Sequence, residues 1–259
     1  MKQTTPLISV QNVSLGYDDF IVLHDLSFTV SRGDVFAIMG GSGSGKSTLL
    51  RAMTGLLRPV QGRIVVRGRD FWAHDDAPRE IMRHIGVSFQ SGALFSAMTV
   101  GENVALPIQQ FTDYTDTQIA DIVHEKLSLV GLGDFADFYP SELSGGMQKR
   151  AGLARALALN PSIVYFDEPS AGLDPVSSRR LDELVLKINR DFGTTIILVS
   201  HELKSIFGIC NNSVFIDAAL HTITAAGNPN ELRRHAPNAA VQEFLNGGNP
   251  ICENNRTRK

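Results

Sequence analysis

Two cysteines and one tryptophan in 259 residues are the scarcest side chains of this sequence. Cys210 and Cys252 are too few for a disulfide framework, and a reducing compartment fits them. Long apolar runs are lacking as well. Spanning a bilayer takes roughly 20 mostly apolar residues, whereas the strongest run here, TIILV at 195–199, is strand-sized. The opening MKQTTPLISVQNV has no apolar stretch of signal-peptide length. Work at a membrane would therefore require another chain to carry this one there. Nor is there a surplus of positive charge. The 24 basic and 27 acidic residues leave a net charge of −3, which offers no broad field to nucleic acid. The basic tail Arg256–Lys259 reads as a solvated terminus. Internal repeats, low-complexity tracts and long linkers are absent. What remains is an ordinary globular composition, 43% hydrophobic and 20% charged, in a length that suits one large domain with a subdomain inserted.

Early segments alternate as half-buried strands do: Ile8 and Val10, then Val13, Leu15 and Tyr17 after a phase slip at Gln11-Asn12. DLSFTV and GRIVVRG continue the pattern, so an antiparallel sheet is expected within the first seventy or so residues. Three short apolar runs, VFAIM, SIVYF and TIILV, read as fully buried parallel strands. They run into Gly40, Asp167 and His201 respectively, the pattern of an α/β sheet with its ligand at the carboxyl ends of the strands. Between them, residues 91–160 carry helical spacing, such as Ile119, Ile122, Val123, Leu127 and Val130, broken by Gly131 and Gly133. NPNELRRH and PNAAVQEFLNGG read as two short capped helices closed by Gly247-Gly248.

The stretch GGSGSGKS satisfies G-x-x-x-x-G-K-[ST] through Gly40, Gly45, Lys46 and Ser47. A buried strand precedes it, and a helix with Leu49, Met53, Leu56 and Leu57 on one face is expected after it. Its glycines, with Gly41, Ser42, Gly43 and Ser44 between the end positions, let backbone N–H groups turn inward around an anion. The helix start at Lys46, Ser47 and Thr48 adds a positive dipole. Lys46 would reach the β- and γ-phosphates of a nucleotide, and the Ser47 hydroxyl would bind Mg²⁺. SIVYFDEP ends a strand in two carboxylates. Asp167 is placed to hold Mg²⁺, and Glu168 to polarise an attacking water as general base. His201, at the end of the third strand, could hydrogen-bond the γ-phosphate, although a lone histidine is usually structural.

At LSGGMQKR the sequence becomes specific: it resembles the signature of ATP-binding-cassette ATPases, and the other elements follow in that family's order. The resemblance covers about residues 7–245. It implies an α/β fold: a P-loop NTPase core with an N-terminal antiparallel β-subdomain and an inserted α-helical subdomain. The expected domain spans 1–248, with its core at 1–90 and 161–230, helical subdomain at 91–160, C-terminal helices at 228–247 and a short tail at 249–259. The family's adenine-stacking aromatic falls on Tyr17, and its Mg²⁺- and water-contacting glutamine, at the end of a core strand, falls on Gln90. AGLDP at 171–175 matches the loop after the paired acids. Ser144, Gly145 and Gly146 would form a second anion cradle at a helix start, with Met147, Ala151, Ala154, Leu157 and Ala158 on one stripe of that helix. In the family, the signature of one copy closes on the γ-phosphate held by another, so a head-to-tail homodimer with two composite sites is implied.

FQSGALFSAMTVGENVALP, LSGGMQKRAGLARALAL and DEPSAGLDP are similar to the ATPases of Mla-type and other Mce-associated lipid transporters. That likeness implies Mg-ATP hydrolysis driving phospholipid movement between inner and outer membranes. The implied partners are a permease dimer, a periplasmic Mce-domain protein and a small STAS-domain subunit, with the chain on the cytoplasmic face of the inner membrane. Of the stretch after Gln90, the residues Leu94, Phe95 and Met98 would line the permease groove. An amino-acid or ion importer is the alternative. A DNA-repair or structural ATPase of this family would carry a long heptad insertion, which this chain lacks. Two departures stand out: Glu202 follows His201 where aspartate is commoner, and SVFIDAALHTITAAG lacks the glycine usual in its hairpin turn.

Overall fold

The computed structural model describes residues 5–74 and 76–247. Two sheets and nine α-helices make up these residues. The first sheet is antiparallel and contains β1 (Ile8–Tyr17), β2 (Phe20–Val30), β4 (Gln61–Val66) and β5 (Arg69–Asp70), in the order β2-β1-β4-β5. The slip read at Gln11-Asn12 is a bulge: Asn12 sits at φ 50°, and the pairing register breaks between Val10 and Val13.

The second sheet contains β3 (Val35–Gly40), β6 (Ile85–Ser88), β7 (Ile163–Asp167), β8 (Thr195–Val199), β9 (Asn212–Asp217) and β10 (Thr222–Gly227), in the order β10-β9-β3-β8-β7-β6. All its pairings are parallel except that of β10 with β9. Its central strands are apolar on both faces because each face has its own core. Val35, Ala37 and Met39 of β3 face one core, while Phe36 and Ile38 face the other. The same alternation sends Val164 and Phe166 of β7 to the first core and Ile163 and Tyr165 to the second.

The second core lies between the sheets and receives α1 (Lys46–Met53). Short α2 (Ala77–Met82) follows β5. The first core is built against α3 (Val100–Phe111), α4 (Asp116–Leu129), α5 (Gly145–Leu157), α6 (Pro175–Phe192), α7 (Leu203–Ile209) and α9 (Ala239–Leu245), with α8 (Pro229–Arg234) packed alongside. Thr99 and Thr115 start α3 and α4 with capping boxes closed by Glu102 and Gln118.

Two expectations need correction. The buried face of α1 stops at Met53, because Gly55 turns the chain at φ 80°; Leu56 is 60% exposed rather than on that face. The strand before Gln90 ends two residues earlier, at Ser88, so Gln90 is carried on a loop. The hairpin without a glycine is closed by other means. His221 takes the positive φ, at 51°, and the Asp217 carboxylate accepts from the N–H groups of Ala219 and Leu220. Gly248 and the tail expected at 249–259, Cys252 included, lie outside the described residues. No helix among the described residues is long and apolar enough to cross a membrane.

Candidate functional site

The loop between β3 and α1 can take its shape only with glycine at both ends. Gly40 lies at φ 155°, and a side chain there would meet the Ile216 carbonyl at 2.6 Å. Gly45 lies at φ 94°, and a Cβ would stand 2.9 Å from Leu23. Because Gly45 is also the N-cap of α1, no side chain caps that helix and no acid sits in its first turn. Its leading N–H groups are thus left for a ligand. Lys46 folds back over the loop, its Nζ donating to the carbonyls of Gly40 at 3.0 Å and Gly41 at 2.8 Å. Burial lowers its ammonium pKa, and the nearby Glu168 and Asp167 carboxylates oppose that shift.

Across the cleft, β7 delivers the paired acids. Burial first, and Glu168 second, raise the Asp167 carboxyl above its usual range, with Lys46 and Arg51 pulling it back. Glu168 sits in the left-handed region at φ 46° and anchors its N–H on the Val199 carbonyl of β8 at 2.8 Å. That strained turn aims its carboxylate into the cleft. Oε1 lies 2.9 Å from Nδ1 of His201, while Oε2 is buried and makes no hydrogen bond among the described residues. A carboxylate oxygen with no protein partner, on a residue that lines a cleft, is an acceptor still to be satisfied.

The resulting open cleft of about 950 Å³ is lined by Gly40, Gly41, Ser42, Gly43, Lys46 and Ser47 from the loop. Gln90, Asp167, Glu168 and His201 line it from the sheet's carboxyl edge. Ser44 is fully buried beneath the loop, and Thr48 is buried on α1. The oxygen donors Ser47, Gln90 and Asp167 suit a hard cation such as Mg²⁺, which takes one or two protein ligands and fills its shell from phosphates and water. No cluster of three or more acid, histidine or cysteine side chains among the described residues forms a self-sufficient metal cage.

Other expected residues are not brought to this cleft. Tyr17, 40% exposed at the end of β1, has its hydroxyl held by Arg51 at 2.8 Å and does not line it. The Ser144–Gly146 segment lies elsewhere too. Ser144 caps α5, accepting from the Met147 N–H at 3.3 Å. With Gly146 it borders a separate cleft of about 320 Å³, which also holds Lys149, Arg150 and Arg180.

Three contacts had no counterpart in the sequence reading. The first is the His201–Glu168 pair. The second joins Lys149 to the carbonyls of Pro169 and Ala171. The third is Asn103, fully buried on α3, which ties Phe95, Met98 and Thr99 together. Only Asn103 left a signal, as a polar residue one turn from Val100 on the buried stripe of an apolar helix.

Comparison with known proteins agrees with this geometry. Residues 23–171, more than half of the chain, match the family model described as ABC transporter. The probable ribonucleotide transport ATP-binding protein mkl of Mycobacterium tuberculosis is 38% identical over 241 residues, covering 93% of this chain and 66% of that protein. The intermembrane phospholipid transport system ATP-binding protein MlaF of Haemophilus influenzae is 38% identical over 242 residues, covering 93% of this chain and 90% of that protein. The methionine import ATP-binding protein MetN of Cupriavidus metallidurans is 41% identical over 204 residues, covering 78% of this chain and 59% of that protein. The chain thus spans about two thirds or less of the length of mkl and MetN. Among solved structures, a dimeric post-hydrolysis cassette, MJ0796, bound to ADP and phosphate, superposes with a TM-score of 0.78 at 28% identity, covering 85% of this chain and 98% of that one. A phosphate loop, paired acids and a signature helix in this fold, together with those matches, place the chain in the ABC transporter family, among its ATP-binding-cassette ATPases.

Proposed function

We propose that this chain hydrolyses Mg-ATP as the nucleotide-binding subunit of a membrane transporter that moves phospholipid between the inner and outer membranes. The observation that carries the chemistry is the Glu168 carboxylate, with one oxygen on His201 and the other unpartnered beside the phosphate loop. The backbone of Gly41–Gly45 and the Lys46 ammonium bind the β- and γ-phosphates. Ser47, Gln90 and Asp167 would hold Mg²⁺, which would supply positive charge to offset that of the transferring group. Glu168 takes a proton from water as the water oxygen bonds to the γ-phosphorus, and the bond to the ADP oxygen breaks. His201 donates from Nδ1 to Glu168 and holds that carboxylate in place. Tyr17 stacks on the adenine.

Ser144, Gly145 and Gly146 complete the site of a second copy. The separation of the two anion cradles within one chain favours that arrangement, since a lone ATP cannot use both. The permease docks beside the Gln90 loop. There Phe95 is 54% exposed and Met98 half-buried, while Leu94 packs against the first core, which leaves Phe95 as the apolar side chain free to meet a partner. The chain sits on the cytoplasmic face of the inner membrane through that partner, with a Mce-domain protein and a STAS-domain subunit completing the complex.

For the cargo, the near end-to-end match with MlaF supports phospholipid. The identity to MetN favours an amino-acid importer as the second reading, though the chain spans only 59% of that protein. The discriminating experiment purifies the chain with its native membrane partners and extracts the complex for lipid mass spectrometry. Enriched phospholipid and ATPase activity that responds to it are expected. A complex free of phospholipid, with turnover stimulated by an amino acid and its binding protein, would favour the importer.

A further inference from the structure

The loop after Glu168 is short of backbone partners. Ala171 N–H returns to the Glu168 carbonyl at 3.2 Å, and Leu173 N–H to the Ser170 carbonyl at 3.0 Å, giving two linked turns. The carbonyls of Pro169 and Ala171, between those bonds, accept from no backbone N–H among the described residues. One side chain satisfies both. Lys149, on the second turn of α5, donates from Nζ to the Pro169 carbonyl at 3.2 Å and to that of Ala171. Its surroundings are partly dry: burial lowers the ammonium pKa, while the Glu168 carboxylate raises it. The cation is therefore close enough to feel the acid without pairing with it directly.

We propose that Lys149 is a positioning residue for Glu168, fixing the 168–171 turn from the same helix whose start is the Ser144–Gly146 cradle. The reasoning is mechanical. Glu168 holds a left-handed backbone conformation that a free loop would abandon. Its N–H is pinned to β8 on one side, and the turn that follows is pinned by Lys149 on the other. A carboxylate displaced by about 1 Å loses much of its rate advantage. Because Lys149 is one turn along α5 from Ser144, movement of the cradle reaches the acid through a single side chain within one chain. This inference rests on the base role proposed for Glu168.

The test uses the purified full-length chain and steady-state ATPase measurements. Lys149→Met keeps the apolar stem and removes the donors. It is expected to lower kcat about 10- to 100-fold, with KM for Mg-ATP unchanged. Lys149→Arg, which keeps a cation with several N–H donors at this position, should restore more of the rate than Lys149→Met retains. In a Glu168→Gln background the Met substitution should cost nothing more, because the group it positions is already gone. Unchanged kcat in Lys149→Met, or a loss confined to KM, overturns the proposal, as does an equal further loss in the Glu168→Gln background. Should Lys149→Met fail to fold, Lys149→Gln, which keeps a polar amide but loses the charge and the reach of the ammonium, serves for the same comparison. The base assignment is tested separately. Glu168→Gln that keeps turnover overturns that assignment, whereas Glu168→Gln inactive beside a fully active Lys149→Met overturns only the positioning role.

Discussion

Asn103→Ala offers the sharpest measure of how the loop beside the nucleotide cleft is held. Asn103 is fully buried; its Oδ1 accepts from the Phe95 N–H at 2.8 Å, and its Nδ2 donates to the carbonyls of Phe95, Met98 and Thr99 at 3.1, 3.2 and 2.8 Å. Not every one of these groups is orphaned by truncation. The Thr99 carbonyl keeps the Asn103 N–H, and the Phe95 carbonyl keeps the Met98 N–H. The Phe95 N–H and the Met98 carbonyl are left without a protein partner. An unsatisfied buried group costs about 1–3 kcal/mol, and both sit near the surface, so about 2–3 kcal/mol is expected for the pair. In a domain of this size 1 kcal/mol moves the melting temperature about 2–4 °C, which predicts a fall of about 4–12 °C. Asn103→Asp is the control. Its carboxylate would still accept from Phe95 but would face carbonyl oxygens where an NH₂ stood. At neutral pH it should lose at least as much as Ala, with the deficit shrinking as acid protonates the new carboxyl. Calorimetry of the three proteins checks this. An Asn103→Ala melt within about 1 °C of the parent would refute the reasoning.

Two substitutions separate binding from chemistry. Glu168→Gln retains the His201 contact but cannot take a proton, so turnover should fall about 10²–10⁴-fold while nucleotide affinity is kept; steady-state turnover and a binding titration read the two effects apart. Lys46→Ala removes an ammonium poised over the Gly40 and Gly41 carbonyls. A charge-assisted hydrogen bond contributes about 1.5–3 kcal/mol, so ATP affinity should drop about 10- to 100-fold in the same titration.

The parts of this molecule that were legible in its sequence are those whose letters answer to a local cause. The buried strands could be read because two cores demand apolar residues on both faces, and their chemistry stands at their carboxyl ends. The phosphate loop could be read because positive φ at Gly45 and the close approach at Gly40 tolerate no side chain. The geometry of the hairpin after β9 is not legible, because the glycine usual in its turn is missing. A histidine in the left-handed region and an aspartate taking two N–H groups do the same work with other residues. Leu56 misled for a simpler reason. Helical spacing continues past Met53 in the letters, but the helix ends at Met53 and Gly55 turns the chain before Leu56 is reached.

What stayed illegible depends on pairs far apart in sequence. AGLDP announces a loop after the paired acids, yet nothing in those letters says that its free carbonyls are served by a lysine 20 residues upstream on another element. The same holds for Glu168. A carboxylate after a buried strand is a common sight, and its spacing does not reveal that one oxygen rests on His201, 33 residues on, while the other is left bare. Those two facts distinguish a solvated acid from one shaped for proton transfer, since a solvated acid keeps both oxygens in water. Lys149 then adds what neither motif contains by itself. It joins the turn behind the acid to the helix that starts at Ser144, so two clefts that share no lining residue are one covalent turn and two hydrogen bonds apart. A second copy that presses on the Ser144–Gly146 cradle would therefore act on the Glu168 of the chain it presses, as well as completing its own site.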